Sequence, residues 1–435
     1  MQVTALKPET KSEAKNYENR TLLQKVLASF LACVSCILLV VGTLLMVEAA
    51  FAIGHIGEET VVKPDPLLGY SHLENQSLTY RQEGFSKSKT NSLGFRDREF
   101  ARAKAPDTTR ICVLGDSMTV GMEVPPECTF TRLLEDRLNQ QKNGKFEVFN
   151  CGISGYGTGQ EYLLYRREVK KLNPDIVMLI YNVGDVEDNV FQRNGMHPPR
   201  PLFQIDNAVL KSDLSSIKSW FDTNDARFYY SFDWLRRNSR VLAVLSKLDL
   251  DLANSDNAYA IVKNVISKPL ALVWEKALSL LPAVKASPPE TIMQFPIASH
   301  LPTATKAGPI PINELQKSFY IEDSKSDVAL GIINALNNDC RKNNCKLVVV
   351  SGPALTNSIF YYRELNKIAR CAEANGFVYI PANKSFPPRE PMEQSPLFFG
   401  LHFTRAGHSL MADSIARGLA LNSCLKADKT RQLSF

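Results

Sequence analysis

Apolar residues along this chain fall into two patterns, short continuous runs and longer stretches with helical spacing. The continuous runs have the length of strands buried on both faces, and they occupy residues 111–114, 146–150, 176–181, 346–351 and 377–380. Helical spacing follows or separates these runs, at residues 131–141, 160–171, 326–342, 359–375 and 406–421. Strands that alternate with helices predict an α/β fold built on a doubly wound, mostly parallel sheet.

A separate apolar stretch lies near the amino end. Residues 26–47 contain no charged side chain, and their number matches the roughly 20 residues with which a helix crosses a bilayer. Basic residues precede this stretch and few follow it, which predicts a single-pass membrane protein with a cytoplasmic amino end and an extracytoplasmic domain. A cleaved signal peptide is the alternative, because residues 50–52 (Ala-Phe-Ala) resemble a cleavage site, although its apolar core is normally only about 7–15 residues long.

These patterns divide the chain into segments. The predicted segments are a cytoplasmic tail at 1–25, the transmembrane helix at 26–47, a connector at 48–105, an α/β domain at 106–195 and 326–424, a helical and proline-rich insertion at 196–325 and a tail at 425–435. The insertion exceeds the length of an ordinary connection, so we expect it to cover the site as a lid or to bind a partner.

Composition excludes several classes of protein. The chain is 44% hydrophobic and 22% charged, which is typical of a globular protein. Its net charge of +6 is not concentrated in basic runs with interleaved aromatic residues, so nothing predicts nucleic-acid binding. The nine cysteines have no zinc-ligand spacing and predict no disulfide framework. We expect neither a metal nor a cofactor.

The first strand of the α/β domain ends on Gly115, Asp116 and Ser117. Ligands and chemistry collect at the carboxyl ends of strands in open α/β sheets, although these three residues are also ordinary turn formers. A serine hydroxyl needs a base to become a nucleophile, and histidine is the best base near neutral pH. Of the six histidines, His402 precedes the last predicted helix on a loop, whereas His408 falls inside that helix, as a packing or capping residue would.

The order of these motifs resembles the GDSL or SGNH hydrolase family. The resemblance covers about residues 90–192 and 325–421, and it implies a three-layer, flavodoxin-like sandwich. It implies that Ser117 is the nucleophile and His402 the general base, with Gly155 in the block that follows the second strand as an oxyanion donor. The third block, which contains Asp185, supplies an asparagine donor in the family.

Two positions depart from the family pattern. The expected asparagine of the third block is Gly184, beside Asp185, so we consider Asn182 as a substitute oxyanion donor or as a packing or turn residue. The aspartate expected two or three residues before His402 is Phe399 or Gly400. Steering by Glu393 or by a backbone carbonyl is an alternative, and a solvated loop charge is the other interpretation of Glu393. Unrepaired losses of a donor and an acid would cost about 10²–10³ and about 10⁴ in turnover, respectively.

The expected function is that of a membrane-anchored serine esterase or acyl transferase that works through an acyl-enzyme. An O-acylated cell-surface glycan is the expected substrate class, and a membrane acyltransferase is a candidate partner. The alternative is a catalytically degenerate protein that keeps the fold in order to bind glycans or a membrane partner.

Overall fold

The computed structural model of the protein describes most of the α/β domain and the amino-terminal helix. The described residues are 11–54, 61–140, 144–192, 199–223, 226–227, 230, 239–241, 276, 279–280, 282, 292–296, 323–353, 359–386 and 395–424. The strands are β1 Val62–Asp65, β2 Gly69–His72, β3 Ser77–Tyr80, β4 Ser86–Lys89, β5 Thr108–Leu114, β6 Lys145–Asn150, β7 Ile176–Tyr181, β8 Leu202–Asp206, β9 Val209–Asp213, β10 Ile292–Pro296, β11 Lys346–Ser351, β12 Val378–Ile380, β13 Phe398–Phe399 and β14 His402–Phe403.

The helices of the described residues alternate with the sheet strands. They are α1 Lys11–Ile53, α2 Ser117–Val120, α3 Phe130–Gln140, α4 Thr158–Arg167, α5 Asp185–Asp188, α6 Ser215–Phe221, α7 Asp323–Lys342, α8 Ile359–Asn375 and α9 Arg405–Leu421. Short 3₁₀ turns follow α2 and α4 and precede β13.

A five-stranded sheet with the order β12-β11-β7-β5-β6 forms the centre of the molecule. All four strand pairs are parallel. This confirms the predicted doubly wound α/β fold, because the order of the five strands along the chain is that of flavodoxin-like sheets. The strand order reverses between β5 and β7, and the loops after these two strands border the crevice where such folds bind ligands.

Helices cover both faces of this sheet. Successive side chains of a strand point to opposite faces, so Cys112 and Leu114 of β5 join one core cluster while Ile111 and Val113 join the other. Helices α4, α7 and α8 contribute to the first cluster, and α3 and α9 contribute to the second. The three-layer sandwich expected from the family resemblance is therefore the observed architecture.

Helix α1 contains one stretch, Gln24–Ile53, that is long and apolar enough to cross a membrane. Its mean hydropathy is 2.8, and none of its most apolar window is buried against the rest of the protein. The predicted span at residues 26–47 lies inside this stretch. Length and composition therefore fit a membrane span or a signal sequence.

The predicted connector at 48–105 contains strands and buried side chains from residue 61 onward, so this part of it is folded against the α/β domain. Two antiparallel hairpins, β1–β2 and β3–β4, occupy its first half. In its second half, Phe95 and Phe100 are buried, and the ring of Phe100 stacks on Phe149 at 4.1 Å between ring centroids. Four-residue strands are too short to show periodicity, so the sequence pattern missed them.

The described part of the insertion contains one short helix, α6, and three strands that the sequence pattern did not predict. Strands β8, β9 and β10 form an antiparallel sheet, and Phe203, Leu210 and Phe295 from these strands are buried in the core cluster that contains α4. The ring of Phe295 meets Tyr162 of α4 edge-on at 5.1 Å. Most of residues 224–322 lie outside the described residues, and the role of the insertion as a lid stays a prediction.

Candidate active site

The loop after β5 fixes Ser117 at the first position of a one-turn helix. Asp116 caps that helix, because its carboxylate accepts a hydrogen bond from the Met118 amide at 2.9 Å. Gly115 allows the tight entry, since a Cβ at this position would lie 2.0 Å from the hydroxyl oxygen of Thr119. The helix ends at Gly121, which adopts the left-handed conformation with φ of 64°. The sequence thus presents the serine at the carboxyl edge of the sheet.

His402 reaches Ser117 from the far end of the chain. It begins β14 of a two-residue hairpin, and Thr404 then caps α9 through a bond from the Gly407 amide. The Nε2 atom of His402 lies 2.9 Å from the Ser117 hydroxyl oxygen. That distance is in the range in which an imidazole can take the hydroxyl proton. The structure therefore brings together the two residues that the sequence identifies as nucleophile and base.

The other ring nitrogen of His402 faces two carboxylates. Nδ1 forms a direct hydrogen bond with the Glu83 carboxylate, and Glu123 lies 3.4 Å from the same nitrogen. The expectation that the steering acid is missing is therefore wrong. The carboxylate that the family pattern places two or three residues before His402 is supplied here by Glu83, from the turn between β3 and β4. Glu393 lies outside the described residues.

Glu83 and Glu123 differ in their surroundings. The Glu83 side chain is 30% exposed, whereas that of Glu123 is only 2% exposed. Burial raises the pKa of the Glu123 carboxyl above its usual value, opposed by the nearby His402. Among the described residues, one Glu123 oxygen has no hydrogen-bond partner. Glu83 is therefore the carboxylate that holds the imidazole, and Glu123 is a buried second acid beside it.

Arg96 joins the segments that carry these two glutamates. Its buried guanidinium donates hydrogen bonds to the carbonyls of Gly121 and Val124, on either side of Glu123, at 2.8 and 2.7 Å. It also donates to the hydroxyl of Ser86 in β4 at 3.2 Å. Burial lowers the pKa of Arg96 to about 10, so the guanidinium stays charged at neutral pH. One side chain thus fixes the β3–β4 hairpin against the loop after the nucleophile.

The candidate oxyanion donors from the backbone are the amides of Ser117 and Gly155. The amides of Ser117 and Gly155 make no hydrogen bond to an acceptor within the described part of the chain, so both are available to a ligand. Gly155 has φ of +73°, a conformation that side chains other than glycine rarely adopt. A Cβ there would also lie 2.9 Å from the hydroxyl oxygen of Tyr70. The structure therefore requires glycine at the position identified from the family pattern.

Asn182 follows β7 and lies beside Asp116. Its side-chain amide donates to the Asp116 carboxylate at 2.9 Å, so one of its two amide hydrogens is engaged there. Gly352 permits this placement, because a Cβ on Gly352 would come within 2.2 Å of the Asn182 carbonyl oxygen. Gly184 presents no side chain, and a Cβ there would meet no heavy atom within 4 Å. The space of the family's asparagine is therefore open.

Buried carboxyl groups lie behind these loops. Asp185 accepts weak bonds from the Asn182 amide at 3.3 Å and from the Thr158 hydroxyl at 3.4 Å. Burial raises the pKa of Asp185 well above its usual value, and the negative charge of Asp116 is the second cause. Burial also raises the pKa of Asp116, and that of Glu161 well above the ordinary value. The hydrogen bond from Thr158 joins the loop after β7 to the start of α4.

Glu83, Glu123 and His402 are also the one group in the described chain whose ligand atoms lie close enough to hold a metal ion, within 4.8 Å of one another. An ion there would have to replace the proton on Nδ1 of His402. It would then compete with the hydrogen bond to Glu83. The arrangement therefore suits proton transfer and metal binding as alternatives rather than together.

Family models and curated proteins give no match to this chain. Solved structures do. The chain is similar to TesA, with 10% identity, 72% of this chain and 98% of that chain covered and a TM-score of 0.35. It is also similar to the acetyl xylan esterase AlAXEase, with 13% identity, coverage of 71% and 99% and a TM-score of 0.34.

A third similar structure is a GDSL-like lipase from Bacteroides thetaiotaomicron, with 13% identity, coverage of 73% and 89% and a TM-score of 0.32. At TM-scores of this size, the likenesses assign neither a fold family nor an activity to this chain. The roles of individual residues therefore rest on the geometry of the site.

Proposed function

We propose that this protein is a serine ester hydrolase or acyl transferase that acts on an O-acyl ester through an acyl-enzyme. The observation that supports the proposal most strongly is the continuous chain of contacts from the Ser117 hydroxyl to Nε2 of His402 at 2.9 Å and from Nδ1 to Glu83. A nucleophile, a base and a group that orients the base are the three parts that acyl transfer by serine requires.

In this proposal, the Ser117 oxygen attacks the ester carbonyl while His402 takes the hydroxyl proton. Glu83 keeps the Nδ1 proton in place and stabilises the imidazolium that forms. The amides of Ser117 and Gly155 donate to the oxyanion of the tetrahedral intermediate. His402 then protonates the leaving alcohol. Water, or the hydroxyl of an acceptor, attacks the acyl-enzyme and restores Ser117.

The test uses the full chain in detergent with a fluorophosphonate probe and a short-chain nitrophenyl ester. We expect covalent labelling on the Ser117 peptide and ester turnover in the wild type. Both are lost in Ser117→Ala. The matched control is Ser215→Ala, which removes an exposed serine at the start of α6 and should preserve both signals. Absence of labelling in a folded wild-type protein contradicts the proposal.

We extend the proposal to location and substrate class. The apolar stretch Gln24–Ile53 supports an anchored protein, and the basic residues before it favour a cytoplasmic amino end and an extracytoplasmic site. An O-acylated cell-surface glycan then becomes the substrate class within reach, and a membrane acyltransferase is a candidate partner. Release of acetate from acetylated envelope polysaccharide by the wild type, and none by Ser117→Ala, tests the substrate. Protease accessibility of the carboxyl end in intact cells tests the orientation.

One observation favours a second function, a non-catalytic glycan or partner binder of the same fold. Gly184 leaves open the space in which the family has an oxyanion donor, and one amide hydrogen of Asn182 is occupied by Asp116. The binder predicts no fluorophosphonate labelling at Ser117. It also predicts that acetylated glycan binds equally well to the wild type and to Ser117→Ala.

A further inference from the structure

We infer that Tyr70 is a positioning residue that strengthens the oxyanion donor at Gly155 from outside the sheet. The inference rests on the proposed function, because it concerns the donor side of the same site. Tyr70 belongs to β2 in the segment that the sequence suggests is a connector. Its hydroxyl donates a hydrogen bond to the carbonyl oxygen of Ser154 at 3.1 Å.

The carbonyl of Ser154 and the amide of Gly155 belong to one planar peptide group. A donor placed on the oxygen of that group draws electron density from its nitrogen, which makes the N–H a stronger donor. Chains of hydrogen bonds polarise one another in this way when they are shielded from water. Tyr70 is 6% exposed, so this bond is largely removed from solvent. The hydroxyl therefore acts on the candidate oxyanion donor through a single peptide plane.

Further contacts hold this peptide in orientation. The Ser154 amide points to Nε2 of His72 at 3.4 Å, and the Arg200 guanidinium reaches the Gly155 carbonyl at 3.4 Å. Burial lowers the pKa of His72 to about 4, so its ring is neutral and able to accept near pH 7. The three consecutive peptide groups around Ser154 and Gly155 thus each have a hydrogen-bond partner.

Tyr70 is itself held in place from the same loop. The hydroxyl of Tyr156 donates to the Tyr70 carbonyl at 2.5 Å, and the two rings meet edge-on at 5.3 Å between centroids. Tyr156 follows Gly155 directly in the sequence. Tyr70 therefore binds the loop through its hydroxyl, and the loop binds Tyr70 through Tyr156. These reciprocal contacts hold the Tyr70 hydroxyl in place.

The kinetic test compares Tyr70→Phe with the wild type in the full-length protein. Loss of one hydrogen bond predicts a decrease of about three- to tenfold in kcat for nitrophenyl acetate, with KM unchanged. Affinity for phenylboronic acid, which becomes tetrahedral on the serine, should fall by a similar factor. The matched control is Tyr162→Phe, which removes a tyrosine hydroxyl bonded to Asp339 at the same 3.1 Å and should leave both values unchanged.

A second variant leaves the tyrosine hydroxyl in place. Site-specific 3-fluorotyrosine at position 70 has a more acidic hydroxyl that stays protonated near neutral pH and donates more strongly, so kcat should rise rather than fall. A merely structural role predicts no rise. An unchanged kcat in Tyr70→Phe overturns the inference, and so does a decrease that is accompanied by an equal change in the control or by a higher KM.

A spectroscopic arm separates this inference from the proposed function. In ¹⁵N-glycine-labelled protein, Tyr70→Phe should move the Gly155 amide nitrogen resonance upfield, because its peptide loses the polarising bond. That shift is measurable even when the wild type labels with no fluorophosphonate. An inert wild type with a shifted Gly155 resonance refutes the proposed function and preserves the positioning role. An unshifted resonance refutes the positioning role whatever the activity.

Discussion

The two sides of Ser117 are unequally equipped. On the base side, His402 faces two carboxylates, Glu83 in direct contact and Glu123 at 3.4 Å. On the oxyanion side, two backbone amides are available, and the position of the family's third donor is Gly184, with open space around it. The contrast indicates that the site has more carboxylates than one imidazole needs for its orientation, whereas it has few donors to stabilise negative charge.

The largest expected effect comes from removing both carboxylates on the base side. In Glu83→Gln with Glu123→Gln, neither of the carboxylates that the described residues place at Nδ1 remains, and kcat should fall by about 10⁴. Each single substitution should cost less than the double, because the remaining carboxylate still favours the correct tautomer. Steady-state kinetics on a nitrophenyl ester measure all three variants.

The matched control for these variants is Glu127→Gln, an exposed glutamate on the same loop as Glu123. It should behave as the wild type. If kcat of Glu83→Gln alone equals that of the double variant, Glu123 contributes nothing to the orientation of the imidazole.

The next effect concerns the open position on the oxyanion side. Gly184 has φ of −59°, which asparagine adopts without strain, and a side chain there meets no atom within 4 Å of the Cβ. Gly184→Asn should therefore raise kcat, at most by the roughly 10²–10³ that one oxyanion donor contributes. Gly184→Ala is the control for the added bulk. Equal rates for the asparagine and alanine variants would show that the donor side is already complete.

A smaller effect concerns His72, which supports the oxyanion loop. Its pKa is lowered from 6.5 to about 4 by burial, so the unfolded chain binds this proton first as the pH falls. The contribution of neutral His72 is fully present above about pH 6.5 and is lost as the pH falls to about 4. At about 1.4 kcal/mol per unit, the loss amounts to about 3 kcal/mol of unfolding free energy.

His72→Asn removes the titratable imidazole. The free energy of unfolding of this variant should therefore decline less on acidification than that of the wild type. Urea unfolding at pH 7, 6, 5 and 4 measures the difference. A constant gap between the two proteins across this window would mean that His72 titrates normally in the folded state.

The smallest expected effect is that of a chelator. In the proposed mechanism His402 transfers a proton without a metal ion, so EDTA should leave ester turnover unchanged. Added Zn²⁺ should inhibit, because an ion on Glu83, Glu123 and His402 displaces the Nδ1 proton. Loss of activity in EDTA, restored by a divalent cation, would reassign these three side chains as a metal centre.

The parts of the site that the sequence revealed are those attached to long elements. Ser117 follows a continuous apolar run, Gly155 follows the next strand, and His402 precedes an amphipathic helix, so each could be placed at the carboxyl edge of a sheet. The strand at 176–181 and the helix at 359–375 begin and end where the patterns predicted. Periodicity over many residues is a strong signal, and these elements have it.

The parts that the sequence did not reveal depend on contacts between distant segments. Glu83 lies 319 positions before His402, in a turn between two four-residue strands, and Tyr70 lies in another strand of that length. Nothing in the local pattern distinguishes such a glutamate from a solvated charge. The packing of Phe95 and Phe100 into the core, together with the hydrogen bonds of Arg96, holds this segment against the site.

The number of residues between α1 and β1 limits the distance between the site and the end of α1. Helix α1 ends at Ile53 and β1 begins at Val62, and even a fully extended chain of that length spans only about 30 Å. If α1 lies in a bilayer, the start of β1 stays within about 30 Å of the end of that helix. If the proposed function holds, the site can act only on ester bonds that come within this distance of the bilayer.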